Sequence, residues 1–208
     1  MLKLYLMPGS CALASHIALH EAGAEFEVQV VDFMSGEQRT PEYRKVNPKG
    51  RVPALATDRG VLTETPAILL YIAQTHPEAR LAPLNDPFEV ARLQSFTNYL
   101  CATVHVAHAH SRRGERWADD ESAIEAMKRK APGNMADCFQ LIEEEFFQGP
   151  WVMGEQFTVA DPYLFTITRW LRFHQIDVSR YPRVHDHLGR MRERPAVRAA
   201  LETEAAAA

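Results

Sequence analysis

Cysteine is scarce in this chain: Cys11, Cys101 and Cys138 are three among 208 residues. An odd number of widely spaced cysteines does not build a disulfide framework, and it fits a reducing compartment. Long apolar runs are absent too. No stretch approaches the ~20 residues of a membrane helix, and the N-terminus lacks the apolar segment of a secretory leader. The expected setting is therefore cytoplasmic, with no membrane partner. Neither charge is in large excess, since Lys+Arg 23 against Asp+Glu 27 leaves −4. The first 80 residues and the remainder are each slightly negative, which excludes the basic face a nucleic-acid partner requires. Arg190, Arg192, Arg194 and Arg198 do cluster, but they read as a solvated helix end. There is no internal repeat, and the one biased segment, Ala205–Ala208, is expected to fray.

What the chain does have is 46% hydrophobic content, enough to bury a core in one or two domains. Its organising stretch is Pro8-Gly9-Ser10-Cys11, between the apolar run Leu2–Leu6 and a helical pattern opened by Ala12. Leu13/Ile17 and Ala14/Ala18/Ala22 repeat at i, i+4, so strand, turn and helix follow in order. The turn puts Ser10 and Cys11 at the helix's first turn, where free N–H groups and the helix dipole stabilise an anion. A thiol there is expected to ionise near neutral pH. The plainer alternative is a small buried residue.

Phe26, Val28 and Val30 alternate with Glu27 and Gln29 as a second strand, completing a βαβ unit with a parallel pair. One helical turn is expected near Tyr43, before the loop Asn47-Pro48-Lys49-Gly50. Val52-Pro53-Ala54-Leu55 then opens a third strand. Pro53 forfeits a ladder hydrogen bond there, which a cis Val52–Pro53 bond reconciles by turning the Val52 backbone outward. Asp58-Arg59-Gly60 is a hairpin turn to Val61-Leu62-Thr63. Thr65 reads as an N-cap and Pro66 as the first helical residue of a helix to His76, stopped by Pro77.

The expected domains are residues 1–80, of βαβ-ββα order, and 87–208, all-helical, with a proline-rich linker at 81–86. Phe88 to about Ser111 reads as one long helix, and Asp119 to Lys130 as a second that Pro132-Gly133 kinks or ends. Met135, Phe139, Ile142 and Phe146 form a following apolar stripe. Phe157-Thr158-Val159-Ala160-Asp161 is a helix start: Thr158 caps the Asp161 N–H, and the Asp161 carboxylate reaches back to the Thr158 N–H. That helix is expected over Pro162 to about Phe173, with two shorter ones near Tyr181–Arg194 and Pro195–Glu202.

Taken in this order, the Pro-Gly turn before a thiol, His16-Ile17-Ala18-Leu19, Asn47-Pro48-Lys49-Gly50, Val52-Pro53-Ala54-Leu55, the Thr-Glu-Thr before a helix, Asn98-Tyr99 with His105, and the Thr-x-x-Asp box resemble the glutathione transferases, the bacterial beta class most closely. The resemblance spans Leu2 to Glu202. It implies a thioredoxin-like N-terminal domain, an all-helical C-terminal domain carrying the acceptor pocket, and a homodimer. The implied activity is glutathione transfer to small hydrophobic electrophiles, in the service of detoxification. Glutathione is then a co-substrate, with no other cofactor. By position, Cys11 matches the residue facing the glutathione sulfur, and Val52, before Pro53, the backbone pairing with the tripeptide. Glu64 and Thr65 match the pair at the γ-glutamyl end, and Asn98 and His105 the helical residues that reach the site.

Two lysines often carried by the beta class are missing, with Ser35-Gly36-Glu37 and Val106 in their places, so glutathione binding is expected to be weaker unless Lys49 or Arg39 substitutes. Leu6 stands where a tyrosine is common, and Tyr5 reads as packing. Ser10 competes with Cys11 as the catalytic group, by donating its hydroxyl. No second cysteine lies three residues after Cys11, so redox chemistry through Cys11 has to pass through a mixed disulfide with glutathione. A glutathione-dependent oxidoreductase or peroxidase, and a non-catalytic binding module of the same fold, are the alternatives. His105, His108 and His110 lack a carboxylate or thiol beside them, so no metal is expected. Phe165, Trp170 and Phe173 read as core, Asp161 as a structural cap, and Arg112 and Trp117 as the border of the acceptor pocket.

Overall fold

The computed structural model describes residues 1–207. Its sheet has the order β2-β1-β3-β4, with β1 Leu2–Leu6, β2 Phe26–Val30, β3 Ala54–Thr57 and β4 Gly60–Thr63. β1 and β2 run parallel, with Leu4 opposite Val28, while β1–β3 and β3–β4 are antiparallel. The parallel pair is joined by α1, Ala12–Glu21, and a short α2, Pro41–Val46, precedes β3. α3, Thr65–Thr75, closes this half. This is the thioredoxin-like order expected from the sequence.

α1 is buried on every side from Ala12 to Leu19. A helix apolar all round needs cover all round. Ala14 and Ala18 face the sheet core around Leu4 and Leu55, while Leu13 and Ile17 pack with Phe165, Leu188, Met191 and Val197 of the helical half. The two halves therefore share one helix as common packing, and the turn before α1 sits at their junction.

The linker does not float. Leu81 and Ala82 are buried, and the Leu81 carbonyl accepts the Val159 N–H at 2.8 Å. The long helix beyond it is not uniform. α4, Pro87–Tyr99, passes through a π-helical stretch, Leu100–Val104, into α5, His105–Arg112. The wider turn sits next to His105, as π-bulges often sit at functional positions.

α6, Glu121–Leu141, continues through Pro132 instead of ending there and absorbs the stripe of Met135 and Phe139, then ends in a π-helical stretch, Ile142–Phe146. Proline removes one helical bond and crowds the turn before it, yet buried Ala131, Met135 and Phe139 hold both halves of the helix against the core. α7, Ala160–Thr168, starts two residues earlier than expected and tightens into a 3-10 helix, Arg169–His174. α8, Pro182–Glu193, and α9, Pro195–Ala206, complete the chain. α9 takes Ala205 and Ala206 into its last turn, while Ala208 lies outside the described residues.

Two capping details differ from expectation. Glu64, at φ +72°, is the N-cap of α3, and Thr65 is already inside the helix and buried. At Asp161, one carboxylate oxygen accepts the Thr158 N–H at 2.7 Å as expected, but the Thr158 hydroxyl accepts from Ala160, not Asp161. The other oxygen accepts the Val152 N–H at 2.9 Å and lies 3.1 Å from His187 Nε2. That matches a fully buried carboxylate's need for partners. The C-terminal arginines are not simply solvated either: Arg190 donates to the Pro150 carbonyl, and Arg194 pairs with Glu21 and covers the Phe157 ring at 3.9 Å.

Candidate active site

The Pro8-Gly9-Ser10 turn is held from the far end of the chain. Gly9, at φ +76°, gives its N–H to Glu204 Oε2 of α9 at 2.9 Å, and its carbonyl accepts from Trp170 Nε1 at 3.1 Å. Ser10 follows, and its hydroxyl oxygen accepts the Ala12 N–H at 3.2 Å. The Leu13 and Ala14 N–H groups close on the Ser10 and Cys11 carbonyls. The first N–H groups of α1 are thus used by the turn itself.

That changes the chemistry of Cys11. Its buried thiol donates to the Val52 carbonyl at 3.5 Å. Burial pushes its pKa up to about 11, against smaller opposing effects that include the Thr65 side chain and Arg113. The expectation of an ionised thiol is therefore corrected. The helix dipole is present, but its donors are spent and desolvation of the anion outweighs it. Cys11 is a neutral hydrogen-bond donor at pH 7.

The Val52–Pro53 bond is cis, and β3 begins one residue later at Ala54. The approach to it is fixed at Arg51, whose carbonyl accepts from both Asn47 Nδ2 at 2.6 Å and the Tyr43 hydroxyl at 2.8 Å. Gly50 just before it has φ +60°, and a Cβ there would meet the Gln38 carbonyl oxygen at 2.7 Å, so only glycine fits. Glu64 is exposed and paired with Lys49, whose ammonium also donates to Thr63 Oγ1 at 2.6 Å. A strained φ at a non-glycine residue beside a helix start is the kind of backbone found at binding sites.

Two cavities meet at Cys11. The inner one, about 130 Å³, is lined by Val52, Pro53, Glu64, Thr65, Cys101 and Tyr163 among others. The outer one, about 360 Å³, carries Ser10, Phe33, His108, Trp170 and Phe173. Cys11, Arg51, Val52, His105, Ala109 and Arg116 line both. His105 lies edge-on to Trp170 at 4.9 Å. Burial, then Arg113, Arg116 and Arg51, hold its pKa down to about 4, so it is neutral.

Residues 1–74 match the family model of the glutathione S-transferase N-terminal domain, and residues 101–195 that of the C-terminal domain. Glutathione S-transferase GstA of Escherichia coli O157:H7 is 34% identical, with 98% of each chain covered. The chain belongs to the glutathione S-transferase family. Among solved structures, a glutathione transferase homolog from Sulfitobacter with bound glutathione is 42% identical at a TM-score of 0.95, covering 98% of both chains. The bacterial beta class enzyme of Sphingomonas chungbukensis is 38% identical at a TM-score of 0.84, covering 97% of this chain and 98% of that one.

Against this transferase frame, Cys11, Ser10, His105, Val52, Pro53, Glu64 and Thr65 come together at the two cavities. Lys49 stands one residue removed, reaching the inner cavity only through Glu64. Asn98 is not brought in. α4 turns Leu93, Phe96 and Thr97 inward, and Asn98, next to Thr97, faces outward and is exposed. Arg39 is also exposed and lines neither cavity.

Other residues were missed by the sequence reading. Trp170 and Phe173 face the outer cavity rather than serving only as core, whereas Phe165 is core. His108 stacks on Trp170 at 4.6 Å and shares a hydrogen bond with His174 at 2.9 Å. Tyr163 closes the inner cavity, its buried hydroxyl without a partner among the described residues. Above all, Arg51, Arg113 and Arg116 join Arg112 around the outer cavity. The signal was present as three arginines in the five residues Arg112–Arg116. Gly114 folds them back as a 3-10 turn, where a Cβ would meet Ile124 Cγ2 at 2.9 Å.

Proposed function

We propose that the protein binds glutathione in the inner cavity and adds its thiolate to an electrophile held in the outer one. The observation that carries this is the junction: Cys11, Val52 and His105 line both cavities, so a sulfur placed beside Cys11 opens onto the outer one. Glutathione is an extended peptide with two carboxylates and one ammonium. Its backbone adds along Val52–Pro53 like a strand. The γ-glutamyl carboxylate meets the open first turn of α3 at Thr65, and its ammonium meets Glu64. The glycyl carboxylate faces Arg51 and Arg116, cations that replace the missing lysines.

Once the glutathione thiol has lost its proton to solvent, the sulfur anion is stabilised by the arginine field and by donors aimed at it. Cys11 turns its S–H from the Val52 carbonyl to that sulfur. The Ser10 hydroxyl already accepts from Ala12, so its proton is free to donate as well. Neutral His105 is a hydrogen-bond partner rather than a base. The sulfur electron pair forms the new carbon–sulfur bond, and the displaced group leaves with its own pair. A covalent oxidoreductase cycle through Cys11 is not favoured, because a neutral thiol is a poor nucleophile.

On this reading glutathione is a co-substrate, no other cofactor takes part, and the enzyme is a cytoplasmic homodimer serving detoxification. Among the described residues no helix is long and apolar enough to cross a membrane. Phe88, 70% exposed at the start of α4, supports a partner surface on the long helix. The test is calorimetric titration with reduced glutathione, alongside conjugation to 1-chloro-2,4-dinitrobenzene. One site per chain and saturable turnover are expected. No saturation at millimolar glutathione overturns the reading.

A further inference from the structure

The outer cavity has a charge that holding a small hydrophobic electrophile does not explain. Five arginines line it and no carboxylate does, in a chain whose net charge is −4. Arg51 and Arg116 also line the inner cavity, but Arg112, Arg113 and Arg172 do not. Those three border the outer cavity alone. None of them has an ion-pair partner among the described residues, whereas Arg92, Arg194 and Arg198 pair with Glu89, Glu21 and Glu193.

Like charges gathered without counter-charges are unfavourable, and their mutual repulsion is relieved by an anion. Their geometry also points to one. Arg112 and Arg172, from two separate helices, both lie over the Phe173 ring, at 5.1 and 4.8 Å. Stacking holds the guanidinium planes while leaving their N–H edges free. In the same cavity the Trp170 indole and the His108 ring, stacked 4.6 Å apart, form a flat aromatic wall.

Building on the proposed transferase reading, we infer that the acceptor is an anionic aromatic electrophile. Its ring lies along Trp170, and its carboxylate or comparable anionic group is gripped by Arg112 and Arg172 at the cavity mouth. Arg113 adds to the attraction. The ring's electrophilic carbon is then directed inward, toward the sulfur beside Cys11. This narrows the small hydrophobic acceptor implied by resemblance to the family.

The experiment uses two pairs of probes, each an anionic acid and its uncharged methyl ester. Binding of 3,5-dinitrobenzoate and its methyl ester is read in the absence of glutathione by quenching of tryptophan fluorescence. Turnover of 4-chloro-3,5-dinitrobenzoate and its methyl ester is read with glutathione, corrected for the uncatalysed rates. The acid is expected to bind more tightly, by ~tenfold or more for a charge-assisted clamp, and to show a matching advantage in kcat/KM. Added salt should narrow the gap. In Arg112→Gln/Arg172→Gln the acid's advantage collapses, and in Arg112→Lys/Arg172→Lys part of it returns. Both arginines are exposed, so these changes leave the core intact. Equal or tighter binding of the ester by the wild type overturns the inference, as does an acid preference that survives in the Gln double variant. If the acid binds preferentially but neither chlorinated ring is conjugated, the transferase reading fails and the anion clamp stands.

Discussion

Glu204, three residues from the end of the described chain, holds the N–H of Gly9 at 2.9 Å across 195 positions of sequence. Its carboxylate is buried, and burial pushes its pKa up while the Gly9 N–H pulls it back. With Trp170 on the Gly9 carbonyl, it makes the last helix part of the active-site turn. Glu204→Ala leaves that N–H without a partner and is expected to cost ~1–3 kcal/mol of stability. Conjugation should fall more than glutathione affinity, because the turn carries Ser10 and Cys11 while Val52 and Thr65 are held elsewhere. Glu204→Gln keeps an acceptor oxygen and should recover most of both. Urea unfolding and steady-state kinetics on the two variants check this.

The neutral thiol of Cys11 gives a second expectation. With its pKa pushed up to about 11, iodoacetamide labelling of Cys11 at pH 7.5 should be at least ~hundredfold slower than that of free cysteine, pKa ~8.5. The rate should rise tenfold per pH unit without levelling off before about pH 11. The raised pKa also favours the folded protein below the ordinary thiol pKa, and this stability drains away as pH climbs toward 11. Cys11→Ala should keep conjugation within ~tenfold, a barrier change of ~1.4 kcal/mol, because Ser10 and the arginines remain. Fast labelling mapped to Cys11 at neutral pH would return it to the role of nucleophile.

Acid should weaken the fold through His16. It is 1% exposed, and neither ring nitrogen has a partner among the described residues. Desolvation, then His20, lowers its pKa to about 4. A depressed histidine contributes stability that is complete above the unfolded pKa of ~6.5 and is lost as pH falls toward 4, by up to ~1.4 kcal/mol per pH unit. His16→Leu removes the titrating group and should flatten this part of the profile. Urea midpoints at pH 7 and pH 5 for both proteins measure the difference.

Assembly is testable through Phe88. Sedimentation equilibrium at micromolar concentration is expected to give twice the 23.5 kDa chain mass. Phe88→Ser should shift the balance toward the single chain, since an exposed aromatic on a helix start contributes most when an interface covers it. A 23.5 kDa wild-type particle would refute the homodimer.

Much of this was settled by sequence alone. The boundaries β1–turn–α1, the parallel β1–β2 pair, the β3–β4 hairpin and the Asp161 contact to Thr158 all follow from periods and turn residues a few positions apart. Local sterics and local hydrogen bonds decide such features, and they are written in neighbouring residues. The order of those motifs also brought Cys11, Val52, Thr65 and His105 to notice as one site.

Tertiary structure alone decided what that site is like. Whether Cys11 is ionised depends on desolvation by atoms from Val52 and the surrounding core, and no nearby residue reports it. Helix continuity through Pro132 depends on Met135 and Phe139 finding a core. Arg113 and Arg172 lie 59 positions apart, yet they line the same cavity only because α5 and the turn after α7 are packed side by side. Burial and electric field sum over everything that folding brings near, so their sign is set by distant chain segments. Sequence named the sulfur; packing made it a donor and surrounded its neighbour's place with positive charge.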